Sequence, residues 1–188
     1  SFMYSVLHRM RAGEVFLQLI KVLYNDATAR IRVNVRMSKP IRIERGTRQG
    51  CPSSPVLYAM VAEPLLCALR EYHSRRGVRF PSYKLIVSAY ADDTLLYVTD
   101  PDANLSPVLR EVVRFGGHSG LRINWGRPMV FPLTTTTRHI QLDFPLHWTT
   151  DPIRYLGIQI HTDPQRVLHD NYEKALMSLQ ASVARWIK

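Results

Sequence analysis

Apolar and polar positions recur along the chain with two different periods, and each switch of period marks a new element. Residues 4–24 follow a helical spacing. In "GEVFLQLIKVLYND", Val15, Leu19, Val22 and Leu23 predict one face, with Phe16 and Ile20 widening it. Asn25 and Asp26 then stop the helix. In "ARIRVNVRM" the period becomes two: Ile31, Val33, Val35 and Met37 alternate with Arg30, Arg32, Asn34 and Arg36. "SKP" reads as a turn, and Ile41 and Ile43 as a return strand, giving a hairpin with one apolar and one arginine face.

A glycine- and proline-bearing loop, "RGTRQGCPSSP", leads into the next helix. Ser53 or Ser54 can cap that helix, with Pro55 in its first turn. Its apolar positions are Val56, Met60, Ala62, Leu65, Leu66 and Leu69. Pro64 should bend or interrupt it, and Gly77 should cap its end. "YKLIVSAY" and "TLLYVTD" flank "ADD" and predict two strands joined by a tight turn. After "DPDANLSP" an amphipathic helix carries Val108, Leu109, Val112, Val113 and Phe115, until "GGHSG" breaks it. "LRINWG" predicts a short strand, residues 131–151 loop or edge-strand material, and "IRYLGIQI" another strand. The final "RVLHDNYEKALMSLQASVARWIK" predicts a helix.

Charge sharpens this picture. The chain has 188 residues, is 46% hydrophobic and carries a formal net charge of +10. That is enough apolar material for one folded domain or a large piece of one, and the charge points to a polyanionic partner, nucleic acid before membrane. Two cysteines, Cys51 and Cys67, form neither a disulfide framework nor a zinc spacing, which suits a reducing compartment. No apolar run approaches the ~18 residues of a membrane span, and no signal peptide opens the chain. It begins at Ser1, as if cut from something longer.

The chemistry concentrates in "SAYADDTLLYV", where Asp92 and Asp93 interrupt an apolar run. A solvated Asp-Asp turn is the plain explanation. The alternative is a divalent-cation site, because a hard cation takes oxygen ligands and removes the repulsion between the carboxylates. Apolar flanks on both sides predict a hairpin buried in a sheet, which would hold such a tip rigidly.

"YADD" between apolar strands resembles motif C of reverse transcriptases. "RGTRQGCPSSPVLYAMVAEPL" closely resembles motif B of LINE-type (non-LTR) retrotransposon reverse transcriptases. "HSGLRINWGRPMVFPL" resembles their motif D, "IRYLGIQI" their motif E, and "EVFLQLIKVLYNDATARIRVN" the stretch between motifs A and B. The motifs occur in family order over nearly the whole chain. The resemblance implies an α/β (α+β) palm with an antiparallel sheet backed by helices over residues 1–164. Partial fingers would occupy residues 27–48, and the start of a thumb residues 165–188. It also implies RNA-directed DNA synthesis with two Mg²⁺ ions about 3.5–4 Å apart, an RNA template, a DNA primer and dNTPs. Asp92 and Asp93 would be the catalytic, metal-binding pair. Arg48, Gln49, Gly50, Tyr90 and Arg127 would meet the nucleotide, template or primer end. Tyr155, Leu156 and Gly157 would form the primer grip, and Arg30, Arg32 and Arg36 a phosphate rail. Location, nuclear or cytoplasmic, follows only from the family.

Two departures qualify these expectations. In the family, motif A lies just before the segment that "SFMYSVLHRM" resembles and brings another metal-binding aspartate. No Asp precedes Asp26 here, and Asp26 sits at a helix end, so little or no catalysis is expected of these residues alone. Motif D reads "INWGRP", with Arg127 where the family form carries lysine. Arginine keeps the charge but is a poor proton donor. A non-catalytic nucleic-acid-binding remnant is the alternative reading. An RNA-directed RNA polymerase shares the aspartate pair, but "RQGCPSSP" and "YLGIQI" argue against it.

Overall fold

The computed structural model describes residues 1–43, 46, 50–72, 77–133 and 143–186. They form a mixed α+β fold that divides into two compact units. One comprises Ser1–Tyr97 and Val108–Arg122, the other Val98–Pro107 and Ile123–Lys188.

The first unit opens with α1 (Phe2–Arg9) and α2 (Glu14–Tyr24). The periodicity over residues 4–24 predicts one helix. The chain instead breaks between them, where Arg11 and Gly13 take positive φ of 55° and 59°. The break lets α2 fold back, so that Leu7, Leu17 and Ile20 meet Leu57 of the third helix in the core. Phe16 and Tyr24 pack against this cluster. Of the face expected to be buried, Ile20 and Phe16 do meet the core, but Val15 is 87% exposed and Val22 77% exposed, and Leu17 takes their place. α2 is apolar nearly all round, and spacing alone does not choose between its two stripes.

β1 (Thr28–Ala29), β2 (Arg32–Val33), β3 (Arg36–Met37) and β4 (Ile41–Arg42) form one interrupted hairpin. The turn is not at "SKP" but at Asn34 and Val35, with Asn34 at φ 54°. Ala29 opposes Ile41 while Arg32 opposes Met37, so residues 30 and 31 face residues 38–40 and one extra residue bulges. Pro40, with no N–H to donate, fits such a bulge. At the base, Arg42 Nη2 donates to Asp26 Oδ1 at 2.7 Å.

Helix α3 (Ser54–Tyr72) runs through Pro64 without a break. β5 (Val78–Arg79) pairs with β6 (Lys84–Leu85), and β7 (Val87–Tyr90) pairs with β8 (Asp93–Leu96), both antiparallel. Gly77 is not a left-handed helix cap, since its φ is not positive. Its role is steric: a Cβ there would lie 2.4 Å from the Leu85 carbonyl oxygen. α4 (Pro101–Ser119) starts two turns earlier than the pattern suggested, with Pro101 in its first turn and Pro107 inside it. It ends at Gly120, whose φ is 79°.

"LRINWG", which passes into the second unit at Ile123, is not a strand. A turn forms instead, with Arg127 N–H donating to Asn124 O at 3.0 Å. β9 (Met129–Val130) pairs in parallel with β10 (His147–Trp148), and β11 (Ile153–Tyr155) pairs antiparallel with β12 (Ile158–Ile160). A helical segment follows: α5 (Pro164–Leu168), one π turn over His169–Glu173, and α6 (Lys174–Trp186).

The expected single antiparallel sheet does not occur among the described residues, which form six separate two-stranded ribbons instead. Short strands ending in bulges, turns and prolines leave each strand one partner. No described helix is long and apolar enough to cross a membrane.

Candidate active site

The site is built on the β7–β8 ribbon. Tyr90 pairs with Asp93, so Ala91 and Asp92 alone form the turn. Ala91 has φ 49° and Asp92 a negative φ, the sign pattern of a type II′ turn. Glycine usually fills that first position, and alanine there carries roughly 1–2 kcal/mol of backbone strain. Val87, Ser88, Leu95 and Leu96 anchor the ribbon half-buried, while Tyr90, Asp92 and Asp93 are exposed. The expectation of a hairpin buried within a sheet is therefore corrected: only its base is enclosed. Tyr97 N–H extends the ladder by donating to Ile86 O at 2.9 Å.

Register fixes the neighbours. Tyr90 and Asp93 are directly opposed and share a face of the ribbon, while Asp92 occupies the turn itself. Among the described residues, neither carboxylate has a hydrogen-bond or salt-bridge partner. Two unpartnered carboxylates on a strained turn fit a hard cation by donor chemistry. No group of three or more His, Cys, Asp or Glu converges as a metal cluster among the described residues. Further oxygen ligands for a cation at this tip must come from elsewhere.

α3 packs against β7 and brings a residue the sequence did not single out. Burial pushes the Tyr58 hydroxyl above its ordinary value, and the negative charge of Asp92 pushes it further. Tyr58 therefore lies within electrostatic reach of the turn. Its helical spacing from "RQGCPSSP" was visible, but nothing in the sequence says that this turn of α3 faces the aspartates.

The loop before α3 is described in part. Arg48 and Gln49 lie outside the described residues. Gly50 takes φ 81° in open space, so its need for glycine is conformational. Cys51 follows, with Sγ 3.0 Å from Ser53 Oγ. Hydrogen bonds from the Ser53 side chain and backbone hold the Cys51 thiol below its usual value. The Tyr24 and Ser54 hydroxyls lie 3.2 Å apart and tie α2 to the start of α3.

The arginine rail is not assembled as expected. Arg32 opposes Met37 and Val33 opposes Arg36, so Arg32 and Arg36 fall on opposite faces. The fold-back at Asn34 joins even-numbered to odd-numbered positions and splits the stripe. Arg30 lies beside the bulge.

In the second unit Arg127 is exposed at the end of its turn. Tyr155 pairs with Ile158, leaving Leu156 and Gly157 as a two-residue turn with φ of 49° and 87°. Two positive φ values in succession mark a type I′ turn, where Gly157 is at ease and Leu156 is strained. Tyr90, Asp92 and Asp93 are thus brought together on one ribbon, and Tyr155, Leu156 and Gly157 on another.

A strained two-residue turn bearing paired carboxylates, on a mixed α+β scaffold, is a candidate divalent-cation site. The chain matches the family model for reverse transcriptase (RNA-dependent DNA polymerase) over residues 2–160, and it belongs to that family. It is 28% identical over 169 residues to the transposon TX1 uncharacterized 149 kDa protein of Xenopus laevis, covering 86% of this chain and 12% of that protein. It is 34% identical over 119 residues to the retrovirus-related Pol polyprotein from type-1 retrotransposable element R2 of Popillia japonica, covering 63% of this chain and 16% of that polyprotein. The resemblance to non-LTR retrotransposon reverse transcriptases read from the motifs therefore holds, and the chain spans only a small part of these relatives.

Proposed function

We propose that these residues form the metal-binding and primer-handling part of an enzyme that copies RNA into DNA. A primer 3′-hydroxyl attacks the α-phosphate of a dNTP paired to an RNA template, and pyrophosphate leaves. The observation that carries this reading is the "YADD" turn, with both carboxylates exposed, unpartnered among the described residues and set on a two-residue turn.

Asp92 and Asp93 would hold Mg²⁺, and bound ions would neutralise charge on the attacking and leaving oxygens. Tyr90, on the same face as Asp93, lies against the primer end. Gly50, with Arg48 and Gln49, contributes the floor beneath the nucleotide and template. Arg127 holds the pyrophosphate by charge rather than by giving it a proton. The Tyr155–Gly157 turn supports the primer strand, and the helix after it begins the thumb. Arg30 and Arg32, or Arg36 on the other face, follow the nucleic-acid backbone. The reaction takes place wherever template RNA and target DNA meet, in the nucleus or the cytoplasm.

Two carboxylates are few for two ions. The 188 residues by themselves are therefore proposed to extend a primer only in trace amounts. Primer extension on an RNA template, with Mg²⁺ and dNTPs, tests both parts. It is run on this chain and on the same chain joined to a reverse-transcriptase segment carrying the motif A aspartate. Extension only by the joined protein, abolished by Asp92→Ala, is expected. Asp92-dependent extension by the chain alone would overturn the trace-activity reading. Absence of extension in a folded joined protein that still binds RNA would favour a non-catalytic binding module.

A further inference from the structure

The helix that follows β12 is interrupted by design of its hydrogen bonding. Asp163 caps its start, with Oδ1 accepting the Gln165 N–H at 2.9 Å. One π turn then spans His169–Glu173, and the Lys174 N–H reaches back to the His169 carbonyl. Asp170 and Asn171, two consecutive residues of this wider turn, reach β12 and the residue after it.

Asn171 is used to capacity on one side. Its Oδ1 accepts the Gln159 N–H at 2.7 Å, and its Nδ2 donates to Gln159 O and to Val167 O, both at 2.8 Å. An amide side chain has one acceptor and two donor hydrogens, and all three find backbone partners here. Gln159 opposes Arg154 in the ribbon, and its N–H and carbonyl point away from β11 to Asn171. The side chain thus imitates a neighbouring strand along the free edge of β12. Next to it, Asp170 Oδ2 lies 2.9 Å from Nε2 of His161, whose ring is 7% exposed, and Lys174 pairs with the other carboxylate oxygen. His161 Nε2 makes no hydrogen bond there, whereas the Asn171 contacts are directional hydrogen bonds.

An isolated two-stranded ribbon is only marginally stable in water. This one ends in a strained turn with Leu156 and Ile158 both about half exposed, so its own packing does little to order it. We infer that Asn171 is a positioning residue, whose amide locks the Tyr155–Gly157 turn onto the α5–α6 helix and so fixes the angle at which that turn meets a primer strand. The inference rests on the primer-supporting reading of that turn. Asparagine is poorly suited to a helix interior, and a lone Asn in "RVLHDNYEKALM" was the signal available in the sequence.

The test compares Asn171→Ala, Asn171→Asp and Tyr155→Ala in the full chain, by amide hydrogen exchange and by dissociation of a labelled RNA–DNA primer–template and of the RNA strand alone. In Asn171→Ala the Gln159 amide should exchange about tenfold faster, as expected for losing its hydrogen bonds, while α6 amides keep their protection. The primer–template should dissociate several-fold faster with the single strand unchanged. Asn171→Asp preserves shape but not the two donors, and should also speed primer–template release. Unchanged Gln159 exchange in Asn171→Ala overturns the inference. So does a general loss of protection with both ligands released alike, which would make Asn171 a fold residue only. If Tyr155→Ala speeds primer–template release and Asn171→Ala does not, positioning is wrong and the primer contact stands. If Tyr155→Ala has no effect, the primer reading itself fails, and with it the role inferred for Asn171.

Discussion

At the scale of single residues, the chemistry of this chain is set by small local hydrogen bonds. The two thiols illustrate it. Cys51 receives hydrogen bonds from Ser53, which stabilise the thiolate and lower its pKa. The Cys67 thiol instead donates to the Glu63 carboxylate at 3.4 Å, which stabilises the protonated form and raises its pKa. As pH rises, Cys51 should ionise before Cys67. At mildly alkaline pH, alkylation should therefore label Cys51 first, although Cys67 is the more exposed. Ser53→Ala should narrow the gap by raising the Cys51 value. Mass spectrometry of the labelled peptides reads the order, and faster labelling of Cys67 would contradict the assignment.

At the scale of elements, glycines separate two kinds of constraint. Gly157 has φ 87° and open space around its missing Cβ, whereas Gly77 has ordinary φ and a backbone oxygen 2.4 Å from where a Cβ would stand. Gly157→Ala should cost about 1 kcal/mol, the torsional penalty alone. Gly77→Ala must push β5 from β6 and should cost about 2–3 kcal/mol. It should also raise amide exchange at Leu85, because β6 runs almost directly into the aspartate ribbon. Denaturant titration of the two variants gives both numbers, and equal losses would mean that close approach at Gly77 is not what excludes a side chain.

The same elements show what the sequence made legible. The turn at "YADD" could be read because a short acidic link stands between apolar runs. The one at "YLGI" could not: the run "IRYLGIQI" reads as a single strand, whereas it folds back on itself at Leu156 and Gly157. The buried face of α2 could be read only in part: Ile20 was on the expected face, but Leu17 competes with Val15, Leu19 and Val22 for the rest of it. The hairpin of residues 28–42 could not be read, because strict alternation from Arg30 to Met37 hides a turn at Asn34. Tyr58 and Asn171 escaped for a related reason. Their importance lies in what packs beside them, and that is decided by tertiary contacts rather than by local spacing.

At the scale of the whole molecule, a net charge of +10 favours nucleic acid, and the fold decides which arginines can serve it. Arg32 and Arg36 project from opposite faces of one ribbon. A single bound strand should engage one face. Accordingly, one of Arg32→Ala and Arg36→Ala should weaken RNA binding and reduce the slope of log K against log salt by about 0.7, while the other leaves the slope unchanged. Equal effects of both substitutions would favour diffuse attraction over a rail.

The central claim is that the exposed carboxylates at the β7–β8 turn bind divalent ions. Paramagnetic broadening by Mn²⁺ tests it without requiring turnover. With an RNA–DNA primer–template present, amide resonances of Ala91, Asp92 and Asp93 should broaden first as Mn²⁺ is added, and the chain carrying Asp92→Ala and Asp93→Ala should lose that effect. Broadening centred elsewhere, or unchanged in the substituted chain, would contradict the account.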